Sequence, residues 1–367
     1  MTTTAETSSA GTGTESGSGA TEVPRGHRIR RTRVLLAVAG GWLLFTLLDR
    51  LLTHSLTLWA LTDMMPPELL LAVPLTVLAA TWWARPGVRR WIAAAAVVAL
   101  LLGFGRSGIN PYALWNGSDT TPSAGAVKIV SWNTEYWEQG DDPAAFYAYI
   151  RSLDADVYLL QEYIHQGKGT ELIPLHLEDR LKKEFPGYRV LVQGELVTLS
   201  RFDVVGTPHE VAPQVMRVDV RTGRSADAPV LSTYNVHLPV HVYLDNPFKP
   251  SVLSGVRRQT GVRNGELDDL IADVRARKHQ PAFIAGDFNH SRTQDDTGRL
   301  GKVATDAVRV NHDLFPRSWR ASTPVMDLWR LDLAFTAGGA KADRYDFAGP
   351  RGHSDHSAQS LTIEPGH

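Results

Sequence analysis

Apolar residues fall into two kinds of run along this chain, long ones before residue 105 and short ones after residue 126. The long runs are approximately Val34 to Leu52, Glu68 to Ala84 and Trp91 to Phe104. A hydrocarbon core about 30 Å thick needs roughly 20 residues per helix. The first two runs meet that length, and the third is short unless it extends past Gly105. The first alone could be an uncleaved signal sequence, but three closely spaced spans favour a small membrane bundle. The short runs are Val127 to Val130, Val157 to Leu160, Val230 to Val236, Ala282 to Ala285 and Arg330 to Phe335. They have the length and composition of buried strands. Polar residues end the first four, as Ser131-Trp132-Asn133, Gln161-Glu162, His237 and Asp287-Phe288-Asn289, while Asp332 sits inside the last. These groups would converge where α/β sheets usually bind ligands.

Composition divides the chain the same way. Residues 1 to 24 are mostly Thr, Ser, Gly, Ala and Glu, with almost nothing to bury, and are expected to be disordered. Arg25, Arg28, Arg30, Arg31 and Arg33 then abut the first apolar run, the pattern that keeps a terminus in the cytoplasm. Arg85, Arg89 and Arg90 in the second loop share that side, whereas the first loop has Arg50 against Asp49 and Asp63. With three spans, everything after about residue 106 lies outside. Trp42, Trp59, Trp82, Trp83, Trp91 and Trp115 fall near span ends or on the first loop, where an indole keeps its N–H in water. Residues 105 to 125 are rich in Gly, Ser, Pro and Asn and read as a linker that lets the following domain hang near the bilayer. The expected organisation is a disordered basic cytoplasmic terminus over 1–33, three transmembrane helices over 34–105, a linker over 106–125 and an extracytoplasmic domain over 126–367. That describes a multi-pass protein of a bacterial-type cytoplasmic membrane.

The chain has no cysteine, which excludes disulfides, zinc-thiolate sites and a Cys nucleophile. Formal net charge is −1, and residues from 126 onward carry 28 Lys and Arg against 32 Asp and Glu. A protein that tracks duplex DNA usually presents a basic face, so this balance weighs against a nucleic-acid partner.

Ser354-Asp355-His356 places a carboxylate beside an imidazole. Water is a poor nucleophile at an anionic phosphate, so its attack calls for a hard cation on oxygen ligands and a base near neutral pKa. Asp, Asn and Glu supply the first and His the second. A buried Asp332 could orient such an imidazole.

The order Asn133, Glu162, Ser200-Arg201, His237, Asp287-Phe288-Asn289, Arg330-Leu331-Asp332, Ser354-Asp355-His356 resembles the endonuclease/exonuclease/phosphatase superfamily over roughly residues 126 to 363. The resemblance implies a four-layer α/β sandwich and a Mg²⁺-dependent phosphohydrolase, with Mn²⁺ as an alternative ion. It implies Glu162 and Asp355 as carboxylates at the metal and Asn133 as a metal-site or phosphate contact. Asp287 and Asn289 would handle nucleophile and phosphate, and His237 would donate to the phosphate. His356 would be base or phosphate contact, with Asp332 orienting it. Three spans ahead of such a domain resemble the VanJ-type subgroup linked to teicoplanin resistance. That likeness implies a lipid-linked substrate, undecaprenyl pyrophosphate, converted to its monophosphate at the membrane.

Plainer readings stand beside these. Asp332 could pair with Arg330, Asp287 and Asn289 could merely form an Asx-turn, and His237 could be a satisfied core histidine. A buried Glu162 needs some partner, of which a cation is one. Arg257, Arg258 and Arg263 read by default as a solvated helix face, with phosphate binding the minority reading. The remaining histidines read as surface or local packing, although His290 and His353 adjoin the motifs. Val242, Tyr243, Leu244 and Phe248 could receive a lipid chain or cover the sheet edge. Two rival functions remain at this stage, an extracytoplasmic nuclease or phosphodiesterase and a catalytically silent cell-wall ligand sensor.

Overall fold

The computed structural model of this chain describes residues 25–52, 59, 62, 65–116, 122–169, 171–240, 250–290, 296–320 and 327–366. The segment 1–24 expected to be disordered lies outside the described residues, as do Asp63 and the loop bearing Val242, Tyr243, Leu244 and Phe248.

Three helices open the described chain: α1 (Arg25–Leu52), α2 (Leu69–Ala80) and α3 (Pro86–Phe104). Two of them, over Arg28–Leu52 and Pro86–Phe104, are long and apolar enough to cross a membrane. The third does not reach that length. Its 12 α-helical residues and the 3₁₀ turn Thr81–Trp83 span about 24 Å at ordinary rises, short of a core of about 30 Å. α1 and α3 run parallel, because Arg85 N–H donates to Thr32 Oγ1 at one end (3.0 Å) while Arg50 donates to the Leu102 carbonyl at the other (2.7 Å). α2 returns between them, its start packed on the end of α3. A Cβ at Gly103 would lie 3.0 Å from Leu70 Cβ and from its carbonyl oxygen, so glycine permits that approach. Ala39, Val77, Ala84, Ile92 and Ala96 form the seam of the bundle. The arginines 28, 30, 31, 33, 85, 89 and 90 gather at one end, and Asp49, paired with Arg106 at 2.6 Å, marks the other.

From residue 122 the chain builds two sheets. The first runs β16 (Lys341–Ala348), β17 (Ala358–Glu364), β1 (Val127–Asn133), β2 (Val157–Gln161), β6 (Leu196–Ser200), β5 (Arg189–Gln193). The second runs β12 (Thr305–Asp306), β15 (Asp332–Ala337), β11 (Ala282–Asp287), β10 (Val230–His237), β9 (Val215–Arg221), β7 (Asp203–Val204), with β8 (His209–Ala212) also on β9. Two small hairpins complete the strands, β3 (Ile164–Gln166) with β4 (Leu172–Pro174), and β13 (Trp319–Arg320) with β14 (Asp327–Trp329).

Apolar side chains stack the sheets into layers. Ile129, Leu159, Val218, Leu231, Phe283 and Ala334 fill the space between them. The outer face of the first sheet buries Val130, Trp132, Tyr158 and Leu160 against α4 (Pro143–Ser152) and α5 (Glu178–Glu184). The outer face of the second packs Tyr234, Val236, Ile284 and Phe335 on α6 (Pro250–Ala276), while α7 (Asp296–Leu300) is a short turn beyond. Because both faces of each central strand are covered, these strands read as continuous apolar runs. The result is helix, sheet, sheet, helix.

The expected free linker is docked in its described part. Asn110 is fully buried, its Nδ2 donating to the Val308 and Asn311 carbonyls (3.0 Å each) and its N–H to the Leu314 carbonyl (2.8 Å). Asn116 donates to the Arg309 carbonyl at 2.7 Å. Side-chain amides here satisfy carbonyls that a composition-based reading leaves to water.

Candidate active site

Strand direction decides which residues meet. β1 and β2 are parallel, as are β10 and β11, so Asn133, Glu162, His237 and Asp287 all emerge at one end. β15 and β17 run the other way, and their beginnings bring Asp332 and the Ser354–His356 turn to that end. Asp332 sits directly opposite Asp287 in the ladder. β6 is antiparallel to β2, with Ser200 opposite Val157; Ser200-Arg201 therefore falls at the far end. There Arg201 pairs with Asp154 at 2.6 Å, so this motif member is structural.

Short-range hydrogen bonds aim the mouth residues. Asn133 Oδ1 accepts from Glu135 N–H (3.0 Å), Asp287 Oδ1 from Asn289 N–H (2.7 Å) and Ser354 Oγ from His356 N–H (2.9 Å). Each is a side chain holding the backbone two residues on. The Asx-turn at Asp287 is thus real, and it coexists with the site, because its other oxygen faces inward. Asn133 Nδ2 lies 2.9 Å from both Glu162 Oε1 and Asp287 Oδ2. Glu162 and Asn289 adopt positive φ, 59° and 47°, as do Glu135, Tyr136 and Trp137 in succession, and such backbone strain clusters at functional sites. It allows Tyr136 N–H to reach Glu162 Oε2 at 2.9 Å. At Gly286 an added Cβ would meet the Val236 carbonyl oxygen at 1.8 Å, so only glycine permits this close strand approach just before Asp287.

Two imidazoles face Asp287 from opposite sides. His356 Nδ1 meets Asp332 Oδ2 at 2.8 Å, and its Nε2 lies 3.7 Å from Asp287 Oδ2. His237 Nδ1 meets Glu195 Oε1 at 2.9 Å, and its Nε2 is 3.8 Å from both Glu162 and Asp287. The longer gaps exceed a hydrogen bond and fit an intervening water or phosphoryl oxygen. Burial opposes charge on each ring, but the surrounding carboxylates outweigh it. Glu195, Glu162 and Asp287 push His237 up to about 10; Asp332 and Asp287 raise His356 well above the ordinary imidazole range. The carboxylates thus favour the protonated, hydrogen-bond-donating form of each ring.

A second cluster is acidic. Glu135 accepts the Asp355 N–H at 2.8 Å, and burial, followed by repulsion from Asp355 and Glu162, raises its pKa. Asp355 Oδ2 is held by Trp319 Nε1 at 2.7 Å. Glu135, Glu162 and Asp355 are oxygen donors, and Glu135 is repelled by the other two, a chemistry that suits a hard divalent cation. Asp287, Asp332 and His356 also offer ligand atoms within 4.8 Å of one another. That group is already internally paired through His356 and Asp332, which suits it to proton handling.

The plain alternatives resolve residue by residue. Asp332 pairs with His356, while Arg330 pairs with Asp306 at 2.9 Å. Asn289 donates one amide N–H to the Leu238 carbonyl (3.0 Å), which leaves the second N–H of that amide for another acceptor. Arg257 and Arg258 are exposed, but Arg263 is buried and donates to the Phe288 and Pro239 carbonyls. It ties the His237 and Asp287 segments together, and nothing in its charged helical context signalled that. His353 pairs with Asp141 at 2.9 Å. Sequence reading missed Glu195, Glu135, Ser318 and Trp319. Glu195 follows Gly194 in a hairpin turn, and Ser318 Oγ accepts from the Leu331 and Asp332 N–H groups at 3.0 Å each. Two of these had recognisable chemistry: Glu195, a carboxylate in a turn facing His237 across the sheets, and Glu135, a carboxylate two residues after Asn133.

The family profile for the Endonuclease/Exonuclease/phosphatase family matches residues 130–356. Among curated proteins no sequence matches the chain. The endonuclease/exonuclease/phosphatase from Bacteroides vulgatus is similar in structure, at 17% identity and a TM-score of 0.47, covering 65% of this chain and 99% of that one. Humanized D. rerio TDP2 is similar at 17% identity and a TM-score of 0.48, with the same coverages. A Bacteroides thetaiotaomicron mannosyl-6-phosphatase is similar at 14% identity and a TM-score of 0.44, covering 65% and 99%.

Proposed function

Because the chain belongs to the endonuclease/exonuclease/phosphatase family, whose members are typically phosphoester hydrolases, we propose that it is a membrane-anchored, Mg²⁺-dependent phosphohydrolase of a lipid-linked pyrophosphate. The finer reading takes undecaprenyl pyrophosphate to its monophosphate, as in the VanJ-type subgroup tied to teicoplanin resistance. One observation carries the membrane part: the domain that bears the site is docked on the end of the helix bundle opposite the arginines, through Asn110 and an Arg317–Glu68 contact of 3.6 Å. Parallel α1 and α3 require the chain to return between them, which supports three crossings with a shortened middle one. The arginine-rich end then faces the cytoplasm, and the catalytic domain lies outside.

Chemically, water adds to the terminal phosphorus, the bond from that phosphorus to the bridging oxygen breaks, and inorganic phosphate and the lipid monophosphate separate. Asp287 orients the water and receives its proton. His356, held by Asp332, and His237, held by Glu195, donate to phosphoryl oxygens as charge builds. Glu162, Glu135 and Asp355 would hold the divalent cation, with Asn133 fixing Glu162 in place; when bound it neutralises phosphate charge and polarises the phosphoryl group. Confinement to the bilayer raises the effective concentration of a lipid headgroup.

The test is phosphate release from undecaprenyl pyrophosphate, a phosphoinositide, sphingomyelin and plasmid DNA, with and without Mg²⁺. Mg²⁺-dependent release from the pyrophosphate is the expected result. Cleavage of DNA in its place would establish the nuclease reading, and binding without turnover the sensor reading.

A further inference from the structure

Beside the mouth, on the side of the domain that touches the bundle, lies a cavity of about 80 Å³ lined by Arg317, Ser318, Trp319, Arg320, Ser354 and Asp355 among others. Sites that enclose a drug-sized ligand measure roughly 300–1,000 Å³. This one suits a single small group. Its cations are two exposed arginines flanking Trp319, and guanidinium is the side chain best shaped to grip phosphate oxygens. Among the described residues Arg317 makes no side-chain hydrogen bond closer than its 3.6 Å approach to Glu68. Glu68 immediately precedes α2, at the bundle end marked by Asp49 and Arg106. The cavity shares Ser354 and Asp355 with the mouth, and Ser354 Oγ donates to the Asn133 carbonyl at 2.8 Å. The cavity therefore adjoins the mouth, since Trp319 in its lining pairs with His356, and its arginines lie on the bundle side. Exposed Phe315, Leu114 and Trp115 border the same junction, where Asn110 meets Leu314.

We infer that this cavity is the subsite for the lipid-proximal phosphoryl group of a diphosphate, with Arg317 and Arg320 as specificity-determining residues. The inference rests on the lipid-pyrophosphate reading and deepens it. In the hydrolysis the bridging oxygen leaves with the phosphate held here, so the arginines offset charge on the leaving group while its lipid points to the bundle. A monoester lacks the second phosphoryl group and leaves the cavity unused.

The experiment compares methylenediphosphonate with methylphosphonate, both non-hydrolysable, by calorimetry on the full chain in detergent at one fixed free Mg²⁺ concentration. The diphosphonate should bind about 10-fold more tightly or better, the worth of one charge-assisted hydrogen bond. Arg317→Gln with Arg320→Gln should close that gap without weakening the monophosphonate, and the corresponding Lys pair should keep part of it. No gap in the natural chain, or a gap unchanged in the Gln pair, overturns the subsite. Turnover of a polyprenyl diphosphate by the natural chain is scored separately. A gap that closes in the Gln pair without such turnover supports the subsite and rejects the lipid substrate.

Discussion

His356 and His237 are held in the same way, each by a carboxylate on its Nδ1. His356 has a fully buried carboxylate, Asp332, behind it; His237 has Glu195, which also accepts from Gln214 and is held below the usual carboxylate range, burial notwithstanding, by the His237 charge. Asp332→Asn keeps the shape and removes the charge. Turnover should fall about 10²–10⁴-fold, and an NMR titration of the His356 ring should show its midpoint moving down toward about 6.5. Normal turnover in that variant would remove the pair from the mechanism. Glu162→Gln tests the acidic side differently. The amide keeps the shape and can accept from only one of Asn133 Nδ2 and Tyr136 N–H, and it loses the charge that a hard cation needs, so activity should drop and part of it should return with excess Mg²⁺. A loss that raised Mg²⁺ leaves untouched argues against Glu162 as a ligand.

At the scale of elements, the site depends on how α6 is fastened to the second sheet. Arg217 on β9 donates twice to Asp273 on α6 (2.6 and 2.8 Å), and Tyr234 on β10 adds a third bond at 2.7 Å. Burial opposes the Asp273 charge, but these donors win and its pKa is lowered. A carboxylate with a depressed native pKa stabilises the fold above its unfolded value of about 3.9, and that contribution disappears as pH falls through the native value. Asp273→Asn should therefore cost about 1–3 kcal/mol near pH 7, with a smaller difference from the natural chain near pH 3. Thermal midpoints at the two pH values check this, and an equal difference at both would mean that the charge is not what matters. The same helix carries Arg263, whose buried guanidinium links the Phe288 and Pro239 carbonyls; fastening α6 thus also positions the Asp287 turn.

For the whole molecule the governing question is orientation. Arginines gather at one end of the bundle, and the catalytic domain is docked at the other, so a bilayer around the helices would separate the two. A reporter active only outside the cytoplasm, fused after His367, should be active. Signal confined to a cytoplasmic reporter would reverse the topology and remove the outward-facing lipid substrate. The described part of the connector is docked in this arrangement, with Asn110 buried against Val308 and Asn311.

Sequence alone determined the strands and the chemistry at their ends, since a strand covered on both faces must be apolar and the first polar residue after it marks where it leaves the core. Asn133, Glu162, His237 and Asp287 were legible for that reason, Asp332 as a carboxylate within an apolar run, and His356 from the adjacent Asp-His pair. Local order also made the turn at Asp287 legible. Other features depend on pairs of segments distant in the chain. Glu195 acquires a role only because β6 runs antiparallel to β2 and brings its turn to the mouth, the same reversal that sends Ser200 away. Arg263 is buried because two loops leave carbonyls facing α6, and Asn110 because a polar connector meets another set. Middle helix α2 is shorter than its apolar run suggested, its last turn tightening to 3₁₀ at Thr81–Trp83. Apolar burial follows from each segment's own composition, whereas the partner of a polar group depends on which other segment arrives, and only the tertiary structure decides that.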